Sequence, residues 1–529
     1  MQSSGAEDAK VTADQSYEDY SLPEGVAALL GDSVDPVQAG LKLRELSEAS
    51  KERGTELLDS IETRSSQIVK SDPAILGGML RLLHMTLLAS GQESVRGVNP
   101  EKLRSIEEAL PSETPNRHLL QHLYAMIRTD LSLEMLVSSL RSHPPDQWIA
   151  AAQVLTPLMQ HDDWPVDAVY PKILDCIQSP TLASPVLDVA SFLCRKSRVS
   201  QHPAIDRLPM LNELLGAVSG RLSQFEVDPR VLGDDVETVQ AKLGEAVALA
   251  VSLCDTLALI GDPSSIGKLN QTLELKHRRV QCEAAGALAR LGDDLGQKRL
   301  IELTADPAAR LRAISYADEL GLGDLVDADY RSDKATVEAE MSLWLSQPQQ
   351  MGVPPTHVES VDSRHMLWPS FQDPIDVSLV RFEYNFGDRT FSNVGICGPV
   401  TFALSTDVAD FPVEDIYAIY AGWHAEHPDI FSIAAGSFND AQARMMAAFA
   451  KHLSQLGYDS IDAKLLGFFL DEHAGVFQAI RDETQCMVVT DGLETIDKPV
   501  FGRMRPPTAE DLFNLFKGRK MLRTFNPGS

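Results

Sequence analysis

Ile260-Gly261-Asp262, Leu291-Gly292-Asp293 and Leu322-Gly323-Asp324 punctuate residues 249–324 at intervals of 31 residues. Self-similarity at such a period marks a stacked repeat, in which each unit buries its apolar face against the next. The match extends into the flanks. Arg279-Val280 stands one period before Arg310-Leu311, and Cys282 and Ala285 one period before Ala313 and Tyr316. The run between Val280 and Leu291 is rich in alanine (Ala284, Ala285, Ala287, Ala289), the best helix former and small enough to admit a neighbouring helix. Glycine at each stop suits the left-handed position just past a helix end, and the aspartate after it can cap the next helix. The pattern predicts one helical hairpin per period, with Gly261, Gly292 and Gly323 outside the helices.

Within this stretch, Arg279-Val280-Gln281-Cys282-Glu283-Ala284-Ala285-Gly286-Ala287-Leu288-Ala289-Arg290-Leu291-Gly292-Asp293 resembles the second helix of a HEAT-type repeat. It is nearest to the short bacterial form also found in bilin-lyase subunits. The resemblance implies a right-handed stack of helix pairs used for protein contacts, and it carries no catalytic residue.

Upstream, Asp35-Pro36 and Asp72-Pro73 read as helix starts, as do Asp262-Pro263 and Asp306-Pro307. Aspartate caps the free amides, and proline is tolerated in the first turn because its missing N–H had no partner there. Ile75, Met79, Leu82, Leu83 and Leu87 fall at helical spacing, as do Leu119, Leu123 and Ile127, and no strand-like alternation is read before residue 370. The expected plan is an acidic tail over 1–20, disordered for want of apolar residues, then a HEAT-like α-solenoid of helical hairpins over 21–345.

Composition shifts at Gln347-Pro348-Gln349-Gln350 and Pro354-Pro355, giving a linker over 346–364. Beyond it, 365–529 reads as a mixed α+β domain. Residues 377–384 alternate as a half-buried strand, and 391–404 read as the returning strand of a hairpin. Helices are expected over 413–424, 440–456 and 474–481, and strands at 429–433, 464–470 and 486–490. Thr508 can cap a helix over 509–516, after which Gly518 frees a basic tail.

The formal charge of −29 argues against nucleic acid, which is bound through basic stripes, and against an anionic membrane. No apolar run is read as approaching the roughly 20 residues a bilayer span needs, and no secretory signal is read at the N-terminus. A cytoplasmic location follows. Six scattered cysteines form no Cys-x-x-Cys pair. His118 and His122 share a helix face but lack a third ligand, so no metal is assigned, and no cofactor is called for. No phosphate-binding Gly-x-x-x-x-Gly-Lys loop occurs.

Two functions compete. The first is a cytosolic protein–protein interaction scaffold, its partner-binding face carrying Lys276, His277, Arg278 and Arg279 with Arg310 and Arg312 one period on. The same arginines can instead serve the stack by bonding neighbouring carbonyls. The second is an enzyme, lyase-like or Cys/His-dependent, with its site in the α+β domain and the array recruiting substrate. Its candidates are Cys397 between glycines, His424 and His427 near Asp429, and His473 after Asp471-Glu472. The end of the chain reverses the overall sign, with seven basic residues from Lys498 to Arg523 against Glu510 and Asp511. That predicts docking on the chain's own acidic surface, or self-association with a second copy.

Overall fold

The structure, a computed structural model of the 529-residue chain, describes residues 20–30, 34–347, 349–425 and 427–527. Residues 1–19 of the expected acidic tail lie outside the described residues. The chain forms two compact units, Met1–Gln297 and Lys298–Ser529, with helices up to Leu345 and two antiparallel sheets with further helices beyond it.

In the first unit the helices His118–Ile127, Trp148–Gln160, Pro180–Arg195, Val236–Ile260 and Arg278–Arg290 form a row, each packed on the one before. Leu208–Val227 and Ile266–Leu273 pack on each other and against the row. The seams are closely packed: Leu253, Cys254, Leu257, Ala284, Ala285 and Leu288 are fully buried. Between helices, the Ser184 and Ser252 hydroxyls meet at 2.8 Å, as do those of Ser219 and Thr272, so these four buried hydroxyls find partners. Gly261 (φ +79°) and Gly292 (φ +81°) stand in the left-handed region just past their helices. Asp262 and Asp293 then accept the N–H groups of Ser264 and Gly296, each at 2.8 Å. The third stop differs from expectation, for Gly321 (φ +71°) takes the left-handed place after Arg310–Glu319, and Gly323 opens a 3-10 turn. The backbone shows why: the Leu322 N–H closes on Ala317 O as the Asp293 N–H closes on Leu288 O, so Gly321 is the true counterpart of Gly292.

Among the described residues, Val236–Ile260 is long and apolar enough to cross a membrane by length and composition, with more than half of its apolar window buried inside the protein. Lys242, Glu245 and Asp255 interrupt its sequence, so it does not read as one unbroken apolar run.

The second unit holds a three-stranded sheet, β1 (His357–Met366), β2 (Ile375–Phe386) and β3 (Arg389–Cys397), and a five-stranded sheet, β4 (Ile430–Ala434), β5 (Asp459–Phe469), β6 (Glu472–Arg481), β7 (Thr484–Thr490) and β8 (Thr495–Pro499). Both are antiparallel meanders in sequence order. Two expectations are corrected. β1 begins inside the 346–364 stretch read as linker and runs past its end, and 474–481 belongs to the strand β6 rather than to a helix. β6 is buried on both faces over Ala474–Phe477, so it lacks the alternation that identifies a strand.

The helices explain the layering. Val413–His424 is buried all round over 415–422, and Ala509–Phe525 over 511–518 except at the half-buried Asn514, because both sheets share one core with them. Asp333–Leu345 covers the outer face of β2 through Met341 and Leu345. Asp440–Gln455 covers the outer faces of β6 and β7 through Met446 and Leu453.

This order of elements occurs twice. Helix, three-stranded meander and central helix run from Asp333 to His424, and the same series runs from Asp440 through β5, β6 and β7 to Phe525. The central helices match in sequence at a spacing of 96 residues: Glu414-Asp415-Ile416-Tyr417-Ala418-Ile419-Tyr420-Ala421-Gly422 against Glu510-Asp511-Leu512-Phe513-Asn514-Leu515-Phe516-Lys517-Gly518. Their contact is reciprocal. A methyl group on Gly422 would lie 2.0 Å from Asn514 O, and one on Gly518 would lie 1.7 Å from Ala418 O. Because 422 corresponds to 518 and 418 to 514, exchanging the two copies maps the contact onto itself, as in a two-fold pairing.

Candidate functional site

The second unit contains a cavity of about 910 Å³. Its walls come from five places: Pro369 and Ser370 before β2, Ala425 to Ile430 leading into β4, Phe469 to Glu472 at the β5–β6 turn, Asp491 to Glu494 at the β7–β8 turn, and Lys520 to Phe525 on the last helix. The helix reaches the cavity because it does not stop at Gly518. There glycine is the residue that lets the two central helices touch, and the helix continues to Phe525. The expected freed tail is therefore a docked helical end.

The basic residues of that end meet acids of the same unit. Arg519 donates from Nε to Asp415 Oδ1 at 2.9 Å, Lys498 Nζ donates to Asp415 Oδ2 at 2.5 Å, and Asp415 is almost wholly buried. Lys520 reaches Asp491 at 2.9 Å and also Glu472, and Arg523 reaches Glu494 at 2.9 Å. Burial works against the charge of Lys520, but Glu472 and Asp491 outweigh it and raise its pKa. Burial likewise opposes the Asp491 carboxylate, yet the Glu494 N–H, Lys520 and the Leu493 N–H hold its pKa below the usual value. One helical turn back, Lys517 is buried over the Phe513 ring, and that burial lowers its pKa to about 8.

The four residues proposed for catalysis are not gathered. Cys397 lies on the outer side of the small sheet, in the cluster with Met341 and Leu345, and burial pushes its thiol up to about 12, far from the reactive thiolate range. His424 ends the central helix and accepts the Trp368 Nε1–H at 2.8 Å. His473 sits edge-on against Phe468. Only His427 lines the cavity, where its Nδ1 accepts the Asp429 N–H at 3.1 Å. Among the described residues no group of three or more His, Cys, Asp or Glu side chains is placed to hold a metal. Of His118 and His122, only His122 has a ring partner, and it is His84: His122 Nδ1 meets His84 Nε2 at 3.0 Å, and burial lowers both of these rings to about 4.

The basic residues proposed for partner binding divide. Lys276 and Arg279 are exposed in the first unit, and His277 and Arg278 are partly covered. Arg310 is a correction. It is buried in the second unit and donates to Thr304 O (3.1 Å), Ala305 O (3.1 Å) and Ala335 O (2.8 Å) and to Glu338 (3.3 Å). Its guanidinium ties the Thr304–Ala305 turn to the following helix and offers nothing to a partner. Arg312 is exposed and lies over the Tyr316 ring.

No family model matches the sequence, and no curated protein matches it. Among solved structures, one described as lipid–protein interactions in lipovitellin is similar over 81% of this chain and 49% of that one, at 14% identity and a TM-score of 0.28. The chain thus spans about half the length of that structure, and a likeness of this degree carries neither fold nor activity over.

Proposed function

We propose that the chain is a cytosolic protein-interaction scaffold: a HEAT-like α-solenoid in the first unit holds a partner protein, and the duplicated α+β unit is carried with it. The observation that supports this most is the row of helices from His118–Ile127 to Arg278–Arg290, each stacked on the one before, the last two closed by the left-handed glycines Gly261 and Gly292. A stack of this kind presents repeated turns as an extended surface. The exposed Lys276 and Arg279 stand at one such turn, where a chain of net charge −29 carries a local excess of positive charge. The partner face is therefore acidic. Cys397 is buried in packing with its thiol pushed up, and neither it nor His424 nor His473 lines the cavity, which weighs against Cys/His catalysis there.

The test is in-cell crosslinking of the full chain followed by mass spectrometry. A recurrent partner should crosslink near Lys268 and Lys276, and the double variant Lys276→Glu, Arg279→Glu should reduce its capture at least ~10-fold, the loss of about 1.4 kcal/mol of attraction. Undiminished capture by a variant of unchanged thermal stability would remove this turn from the binding face.

A further inference from the structure

We propose that the cavity of the second unit binds a small amphiphile, an alkyl or aryl body bearing a single ammonium group. The internal duplication is what singles the cavity out. The two copies share an outer helix, a meander and a central helix, and their meanders and central helices pack into one common core. The second copy has three additions: β4, β8, and a helical extension from Met521 to Phe525 beyond the position equivalent to His424. All three border the same space. Ile430 opens β4, Leu493 and Glu494 form the turn into β8, and Met521 and Phe525 lie on the extension. Departures from a duplicated plan that converge on one cavity are the mark of a site rather than of packing.

Size and lining define the ligand. A volume of about 910 Å³ falls in the range of small-molecule sites. Ile430, Phe469, Met521 and Phe525 supply apolar wall, and the large apolar side chains Leu493 (96% exposed) and Leu470 (53% exposed) stand uncovered at its margin. The charged part holds three carboxylates, Glu472, Asp491 and Glu494, against two cations, Lys520 and Arg523. Both cations are already paired, whereas Glu472 retains a half-exposed carboxylate with acceptor capacity to spare. The field of the whole chain, at −29, adds to the preference for a cation.

The test is calorimetric titration of the full chain with octylammonium, octanoate and octanol. Octylammonium should bind saturably at one site, at least ~10-fold more tightly than either of the others, a difference of about 1.4 kcal/mol. Glu472→Gln should weaken it several-fold, and Ile430→Trp, which fills the cavity, should abolish it. Leu493→Ser changes a side chain that supports no packing, so the fold is retained, and it too should weaken binding. The proposal is overturned if octanoate binds as tightly as octylammonium, if octylammonium shows no saturable site, or if Leu493→Ser and Glu472→Gln both leave its affinity unchanged.

Discussion

Replacing Gly518 by alanine adds one methyl group at the narrowest point of the second unit. The new carbon would start 1.7 Å from Ala418 O and 2.5 Å from Ala418 C. Carbon approaches a carbonyl oxygen to about 3.3 Å, so the two central helices must part by roughly 1.5 Å along that line. The obstacle is backbone and cannot rotate away. Separation would loosen Ile416, Ile419, Tyr420, Leu512, Leu515 and Phe516, all buried in the seam, and would lengthen the Arg519–Asp415 bond. Overpacking of a core costs about 1–3 kcal/mol, while alanine in mid-helix returns about 1 kcal/mol over glycine. With a backbone obstacle the upper end applies, and a net loss of about 2 kcal/mol is expected. The same substitution at Gly220, a mid-helix position with nothing within 4 Å of the added carbon, should stabilise by about 0.5–1 kcal/mol. Thermal unfolding combined with peptide-resolved hydrogen exchange separates the units: protection should fall in 413–424 and 509–525 and nowhere else. A Gly518→Ala protein as stable as the parent would refute the argument that glycine is there for helix contact.

Arg310→Lys should destabilise the second unit by about 2–4 kcal/mol by denaturant unfolding, since one ammonium cannot reach three carbonyls and leaves Glu338 under-paired; full retention of stability would make the guanidinium dispensable. His84 and His122 each have a folded pKa of about 4, below the ordinary 6.5. The unfolded chain therefore binds more protons between those values, and stability present above pH 6.5 is lost as pH falls toward 4, by about 2 kcal/mol for each ring at pH 5. The double variant His84→Phe, His122→Leu should flatten the melting temperature between pH 7.5 and 5, and an unchanged slope would exonerate the pair. Ala285→Arg should unfold the first unit, because Ala285 is fully buried in a helix seam sized for a methyl group; an unaltered far-ultraviolet melt would count against that seam.

What the sequence made legible was local in origin. A left-handed glycine and a capping aspartate are decided by two or three residues, so Gly261-Asp262 and Gly292-Asp293 could be read directly, and Val413–His424 was bounded correctly by its apolar pattern. Leu320-Gly321-Leu322-Gly323 offers two glycines for one stop, and the period selects the wrong one. β1 escaped notice because it is an edge strand whose alternating faces are mostly polar. The cavity was out of reach in a different way, since it gathers side chains from five separated segments and no spacing announces them. The duplication shows as Glu414-Asp415-Ile416-Tyr417 and Glu510-Asp511-Leu512-Phe513, but at 96 residues it lies beyond the repeat lengths of stacked arrays.

The two copies agree in shape and differ in charge, and that difference decides how they pair. At the glycine crossing either central helix could meet its own duplicate, because position 418 or 514 faces position 422 or 518 in every combination. Asp415 breaks the equivalence. It is buried against Lys498 and Arg519 of the second copy, and 96 residues earlier those positions are Phe402 and Trp423, which stack on each other at 4.0 Å. Pairing the first helix with its own duplicate would set Asp415 among aromatic rings with no cation, the kind of uncompensated buried charge that disfavours a state by several kcal/mol. Asp511, its counterpart, asks for no cation, since the hydroxyls of Thr406 and Thr508 both donate to it. Matching shape thus allows the close approach, and one ion-pair cluster present in a single copy restricts it to the first helix with the second. The same copy that supplies the cations also supplies the three additions around the cavity. Asymmetry of charge and asymmetry of structure therefore fall together, on the same half of the unit.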